Sequence, residues 1–122
     1  MAKILIVEDS RQASLFLRRC LARARFEVEE WLPASVQEIP ERLRASSPDL
    51  IISDYFLPGL TGASIAQVAS EARPRIPVIM LTSLEEAEDI QALFGLGVNQ
   101  VLNKPVRPEV IVQSVRDALA NP

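Results

Sequence analysis

Short apolar runs alternate along the chain with stretches whose apolar residues recur near every third or fourth position. Ile4-Leu5-Ile6-Val7, Leu50-Ile51-Ile52-Ser53 and Val78-Ile79-Met80-Leu81 are strand-like, and a weaker run covers 98–103. We expect strands over 3–8, 27–31, 49–53, 78–82 and 98–103. The first, third and fourth are nearly all apolar, as strands covered on both faces should be. The second carries Glu27, Glu29 and Glu30 beside Val28 and Trp31 and fits a more exposed edge strand. Between the strands lie helical patterns. Ser10 or Asp9 can cap a first helix, with Ala13, Leu15, Phe16, Leu17, Leu21 and Ala22 as its inner face and an end near Arg25. A second helix falls within 35–46. Ser35 and Glu38 there fit a capping box, and Pro40 predicts an irregular beginning. Residues 54–62 form a loop with Pro58-Gly59 as its turn signal. A third helix covers 62–72. A fourth spans 84–95 and stops near Gly95 or Gly97. Pro108 opens a fifth, striped by Val110, Ile111, Val115, Ala118 and Leu119. Strands alternating with helices predict an α/β fold, a parallel sheet with helices on both faces.

The residues that end the apolar runs change the picture. The runs lead into Glu8-Asp9, Asp54, Thr82 and Lys104-Pro105. In a parallel sheet these groups converge at the carboxyl edge, where open α/β sheets place their sites. Three carboxylates, a hydroxyl and an ammonium together suit a divalent metal and a phosphoryl group. The 122 residues amount to one domain, read here as a single unit over 1–122, and 48% hydrophobic content suffices for a core. A net charge of −3 gives no reason to expect nucleic acid as a partner. The one cysteine, Cys20, excludes an internal disulfide and reads as a small packed residue. Met1-Ala2-Lys3 enters the first strand at once, without a signal-peptide pattern, and no run approaches a membrane span. The expected setting is therefore cytoplasmic. Histidine is absent, so no histidine-based triad or metal site exists within the chain. Lysine occurs only at positions 3 and 104, against eleven arginines, which makes a Lys at a strand end stand out.

The motifs Val7-Glu8-Asp9, Ser53-Asp54-Tyr55-Phe56-Leu57-Pro58 with Gly62, Met80-Leu81-Thr82-Ser83 and Leu102-Asn103-Lys104-Pro105 resemble, in order and spacing, the receiver domain of two-component response regulators. The resemblance covers essentially the whole chain. It implies a flavodoxin-like, doubly wound, five-stranded parallel sheet of order 2-1-3-4-5 with five helices. It also implies a phosphorylation-controlled signalling switch in which Asp54 is the phosphoryl acceptor. Mg2+ would be held by Asp9, Asp54 and the backbone carbonyl of Phe56, with Glu8 acting directly or through water. Lys104 would pair with one phosphoryl oxygen and Thr82 would hydrogen-bond another, and Lys104-Pro105 would be cis. The chemistry is consistent with this, because a carboxylate can attack phosphorus and a hard cation offsets the crowded charge.

With no histidine in the chain, the phosphoryl group has to come from outside. The resemblance points to a sensor histidine kinase or a histidine phosphotransfer protein. Apart from accepting and losing its own phosphoryl group, such a chain is not an enzyme. The basic first helix (Arg11, Arg18, Arg19, Arg23, Arg25) reads as a solvated face or as a docking face for an acidic kinase bundle. The face of helix four, strand five and helix five is the expected output or homodimer surface, with Glu85, Glu86, Glu88 and Asp89 against Arg107 and Arg116. Val101 departs from the pattern, since family members usually carry Tyr or Phe there. That departure leaves room for a phosphorylation-independent pseudo-receiver, and the expected lack of an output domain permits a second alternative, a phosphate sink or shuttle without output. A hydrolase with an aspartate nucleophile is disfavoured, because Phe56 stands where its second Asp belongs.

Overall fold

A computed structural model describes residues 1–83 and 87–121. In chain order the elements are β1 (Lys3–Val7), α1 (Arg11–Arg23), β2 (Glu27–Glu30), a 3-10 turn (Val36–Glu38), α2 (Ile39–Ser46) and β3 (Leu50–Asp54). They continue with β4 (Phe56–Leu57), β5 (Leu60–Thr61), α3 (Gly62–Glu71), β6 (Val78–Thr82), α4 (Ala87–Gly95), β7 (Gln100–Asn103) and α5 (Pro108–Ala120). Five parallel strands pair in the order β2-β1-β3-β6-β7. This is the expected 2-1-3-4-5 order once the two-residue strands of the 56–61 hairpin are set aside. That hairpin turns on Pro58-Gly59, with Leu57 opposite Leu60 and Gly59 at φ 78°. A proline followed by a residue with positive φ is the type II turn combination.

Alternation along the strands divides the core between the two faces of the sheet. Leu5, Val7, Ile51, Val78 and Met80 pack with Ile39 and Leu43 of α2, Ile65 and Ala69 of α3, and Leu93 of α4. Ile4, Ile6, Leu50, Ile52, Ile79 and Leu81 pack with Leu17 and Leu21 of α1 and with Ile111, Val115 and Ala118 of α5. Ile4, Leu5, Ile6, Ile51, Ile52 and Ile79 are essentially fully buried. Burial at this level stabilises the fold by about 1.5–3 kcal/mol per side chain.

Local chemistry sets the element ends. Ser10 caps α1, its Oγ accepting the Ala13 N–H at 3.3 Å. The second helix begins irregularly, as Pro40 predicts, but the capping box does not form. Ser35 makes no side-chain cap bond, and Glu38 Oε1 instead accepts the Ala34 N–H at 2.6 Å, because the chain enters through the 3-10 turn. The start of the fourth helix, placed at 84 from sequence, lies outside the described residues, as do Glu85, Glu86 and Pro122. The expected inner face of α1 is partly wrong. Leu15 and Phe16 are 45% and 38% exposed and Ala22 is exposed, whereas Ser14, Leu17, Cys20 and Leu21 are buried. Three consecutive apolar residues cannot all face one sheet at 100° per residue, and Leu17 takes the inward place.

Helix α1 closes with paired bonds, Arg25 N–H to Ala22 O at 3.0 Å and Phe26 N–H to Leu21 O at 3.0 Å. This is the Schellman arrangement, which usually employs glycine at the left-handed position; here Arg25 occupies it at φ 68°. A left-handed backbone costs an L-residue roughly 1–2 kcal/mol, partly offset in a glycine variant by the greater freedom of its unfolded chain. Arg25→Gly is expected to raise unfolding stability by up to about 1 kcal/mol. An unchanged or lower midpoint in urea would show that no strain resides there.

Candidate functional site

The strand register brings the polar ends of the apolar runs together. Val7 lies opposite Ser53, Asp54 opposite Leu81, and Thr82 opposite Asn103. Glu8-Asp9, Asp54, Thr82 and Lys104 therefore line one stretch of the carboxyl edge. Two further backbone bonds tie the loops down, Tyr55 N–H to Leu81 O at 2.9 Å and Lys104 N–H to Thr82 O at 3.0 Å. From β1 the chain crosses to β2 at one edge, then returns to β3 on β1's other side. The site straddles that switch point.

Carboxylate oxygens of Glu8, Asp9 and Asp54 all lie within 4.8 Å of one another. Asp9 is exposed, while Glu8 and Asp54 are buried. Lys104 reaches into this group, with its Nζ 2.9 Å from Asp54 Oδ1 and 3.2 Å from Glu8 Oε2. Glu8 Oε1 also accepts the Ser10 N–H at 3.1 Å. The peptide bond between Lys104 and Pro105 is cis, as the resemblance implies; that between Arg73 and Pro74 is also cis, which was not anticipated. Thr82 is fully buried. Phe56 sits in the hairpin, 53% exposed, with its ring set edge-on to Tyr55, centroids 4.9 Å apart. Val101 is half-buried against the cluster that covers the α2–α3–α4 face of the sheet.

Burial pushes the Glu8 carboxyl above its ordinary 4.5, and the Asp54 charge adds to the effect. The Ser10 N–H and Lys104 oppose this without cancelling it. For Lys104, burial acts to lower the ammonium pKa, but the hydrogen bond to Asp54 and the charges of Glu8 and Asp54 outweigh it and raise the value above 10.5. The site thus sets one ammonium among crowded carboxyl groups, and the donor set is all oxygen, which suits a hard divalent cation.

The response regulator receiver domain matches residues 4–116. The chain belongs to that family. It is 35% identical over 98% of its length to the phosphate regulon transcriptional regulatory protein PhoB of Rhizobium meliloti (strain 1021) and covers 52% of that protein. It is 29% identical over 96% of its length to the alkaline phosphatase synthesis transcriptional regulatory protein PhoP of Bacillus subtilis (strain 168), covering 48%. The chain therefore spans about half the length of these two regulators. Among solved structures it resembles chemotaxis protein CheY4 of Vibrio cholerae (TM-score 0.83, 29% identity, 97% of this chain and 98% of that one). It also resembles the signal receiver domain of a signal transduction histidine kinase from Syntrophus aciditrophicus (TM-score 0.84, 29% identity, 98% and 91%). No helix of the described receiver domain is long and apolar enough to cross a membrane.

Sequence reasoning named Glu8, Asp9, Asp54, Thr82 and Lys104, and the structure places all five at one edge. It missed the supports. Arg18 grips Glu30 at 2.7 and 3.2 Å, and the Ser14 hydroxyl donates to the same carboxylate. Glu29 receives Lys3 at 3.1 Å and Arg42 at 3.0 Å, and the Arg42 guanidinium lies 5.7 Å from the centre of the Trp31 ring. The three glutamates in β2 were the available signal, since acidic residues on a strand beside basic helices invite such pairs.

The raised Glu8 pKa fixes a sign. The folded protein holds this proton more tightly than the unfolded chain does, so the stability it contributes is present below 4.5 and is lost as pH rises through the raised value. Glu29 and Glu30 have lowered values; their contribution is present above 4.5 and fades as pH falls below it. Without divalent cations, Glu8→Gln is expected to gain on wild type across the window just above pH 4.5 and then hold a constant lead. Parallel unfolding midpoints from pH 4 to 8 would contradict this.

Proposed function

We propose that residues 1–122 act as one cytoplasmic receiver switch that accepts a phosphoryl group on Asp54 from a phosphohistidine of a sensor kinase or phosphotransfer protein. The observation that carries this reading is Lys104 Nζ held 2.9 Å from the buried Asp54 carboxylate, beside the Glu8 and Asp9 carboxylates. Asp54 attacks phosphorus through a carboxylate oxygen. The phosphorus–nitrogen bond of the donor breaks, and its electron pair leaves with the imidazole. Lys104 moves its charge from Asp54 to a phosphoryl oxygen, acting as a point cation, and the Thr82 hydroxyl donates to another. Asp9, Asp54 and the Phe56 carbonyl are the proposed ligands of Mg2+, with Glu8 bound directly or through water. When bound, Mg2+ supplies charge that offsets these carboxylates and the incoming phosphoryl oxygens. Beyond taking up this group and losing it again, the chain catalyses nothing. The output surface is the face of α4, β7 and α5, where Glu88, Asp89, Arg107 and Arg116 stand exposed; it serves an output domain or a homodimer.

Acetyl phosphate with Mg2+ is expected to add a single phosphoryl mass to the wild type and none to Asp54→Asn. An adduct that survives in Asp54→Asn, or forms equally without Mg2+, would refute the assignment.

The phosphohistidine donor is proposed to dock over α1. Leu15 stands exposed on a ridge between two grooves, one lined by Arg18, Trp31 and Leu32, the other by Phe16, Arg19 and Val112. Arg11, Arg19 and Arg23 flank these apolar anchors, beside Glu30 and Glu109, and offer cations to an acidic helical partner. Leu15→Asp should slow transfer from a phosphorylated histidine protein by at least about tenfold, while the acetyl phosphate rate stays within about twofold. Equal loss with both donors would place the defect in the site and not in docking.

A further inference from the structure

The Asp54 peptide unit is held from two directions. Ser53 is fully buried in β3, and its Oγ donates to the Asp54 carbonyl at 2.9 Å. Gly62 opens α3 against that same carbonyl, where a Cβ would stand 2.6 Å from the oxygen and 2.5 Å from the Met80 sulfur. No side chain fits there without a shift of backbone. The Gly62 N–H also donates to the next carbonyl, Tyr55 O, at 2.7 Å. The loop from Asp54 to Gly62 is thus closed at its base on two consecutive carbonyls. The orientation of the peptide after Asp54 decides where the chain leaves the sheet, and so where the Phe56 backbone lies relative to the Asp54 carboxylate.

We propose that Ser53 and Gly62 are positioning residues that fix the Asp54 carbonyl and thereby set the Phe56 carbonyl against the Asp54 carboxylate for metal binding and phosphoryl acceptance. This rests on the reading of the site as an Mg2+-dependent acceptor. The alternative is that the Ser53 hydroxyl merely satisfies itself in the core and does nothing for the site.

Threonine and valine share a shape and differ by one hydroxyl, so Ser53→Thr and Ser53→Val separate the two cases. Mg2+ affinity is measured by calorimetry and phosphorylation by acetyl phosphate is followed by mass. Supporting partners of metal ligands commonly change affinity by 10–100-fold. Ser53→Thr is expected to stay within about threefold of wild type, and Ser53→Val to bind Mg2+ roughly tenfold more weakly and to phosphorylate correspondingly slowly. Ser53→Ala, which adds no bulk, should follow valine, and covers the case in which the larger side chains do not fit the core. Ser53→Ala and Ser53→Val variants that bind Mg2+ like wild type would overturn the proposal while leaving the acceptor reading intact. A wild type that binds no Mg2+ would overturn both.

Discussion

Crowded negative charge at the carboxyl edge is the constraint around which the rest of the molecule is arranged. Three carboxylates lie within 4.8 Å of one another, two of them largely out of water, with one ammonium among them. Such a cluster is costly to desolvate and repels itself. The sheet tolerates it because Asp54 ends β3 and Glu8 and Asp9 directly follow β1, where the ladder ends and polar contacts become available. Lys104 offsets part of the repulsion, and the Ser10 N–H at the start of α1 takes up one Glu8 oxygen. The remaining excess of negative charge would favour a bound cation, as the proposed function requires. A site fully neutralised by the protein's own groups would have little reason to bind one.

The same constraint explains which parts of the structure can be read from sequence. Ile4-Leu5-Ile6-Val7 and Leu50-Ile51-Ile52 admit almost no reading except central strands, and the acids that follow them are conspicuous because nothing in an apolar core calls for them. Order and register then follow, since only a parallel sheet brings Glu8, Asp54, Thr82 and Lys104 to one edge. The first helix was harder. Leu15-Phe16-Leu17 is an apolar triplet, and composition cannot say which member turns inward; tertiary packing chose Leu17. The Ser35–Glu38 pair has the spacing of a capping box, but Pro40 and the 3-10 turn set a different backbone path there.

What sequence could not show was the support beneath the site. That the Ser53 hydroxyl meets the Asp54 carbonyl, or that Gly62 has no room for a methyl group, depends on distances of a few tenths of an ångström between residues on separate elements. Turn signals at Pro58-Gly59 announce a loop without saying how tightly its base is drawn. The residue types that gather at the edge are thus legible in the sequence, and the close spacing that supports them is not.

The glutamates of β2 have a role beyond pairing with the neighbouring helices. β2 is an outermost strand, with no sheet neighbour on one side of its backbone among the described residues. An open strand edge is an invitation to add another strand from a second molecule. Here the strand is four residues long and reads Glu27-Val28-Glu29-Glu30, with Glu29 and Glu30 pinned by Lys3, Arg42 and Arg18. An incoming strand would have to lay its own side chains beside these carboxylates, and charge on an edge strand opposes such addition. On that border, charge takes the part that a covering helix or loop plays at other sheet edges.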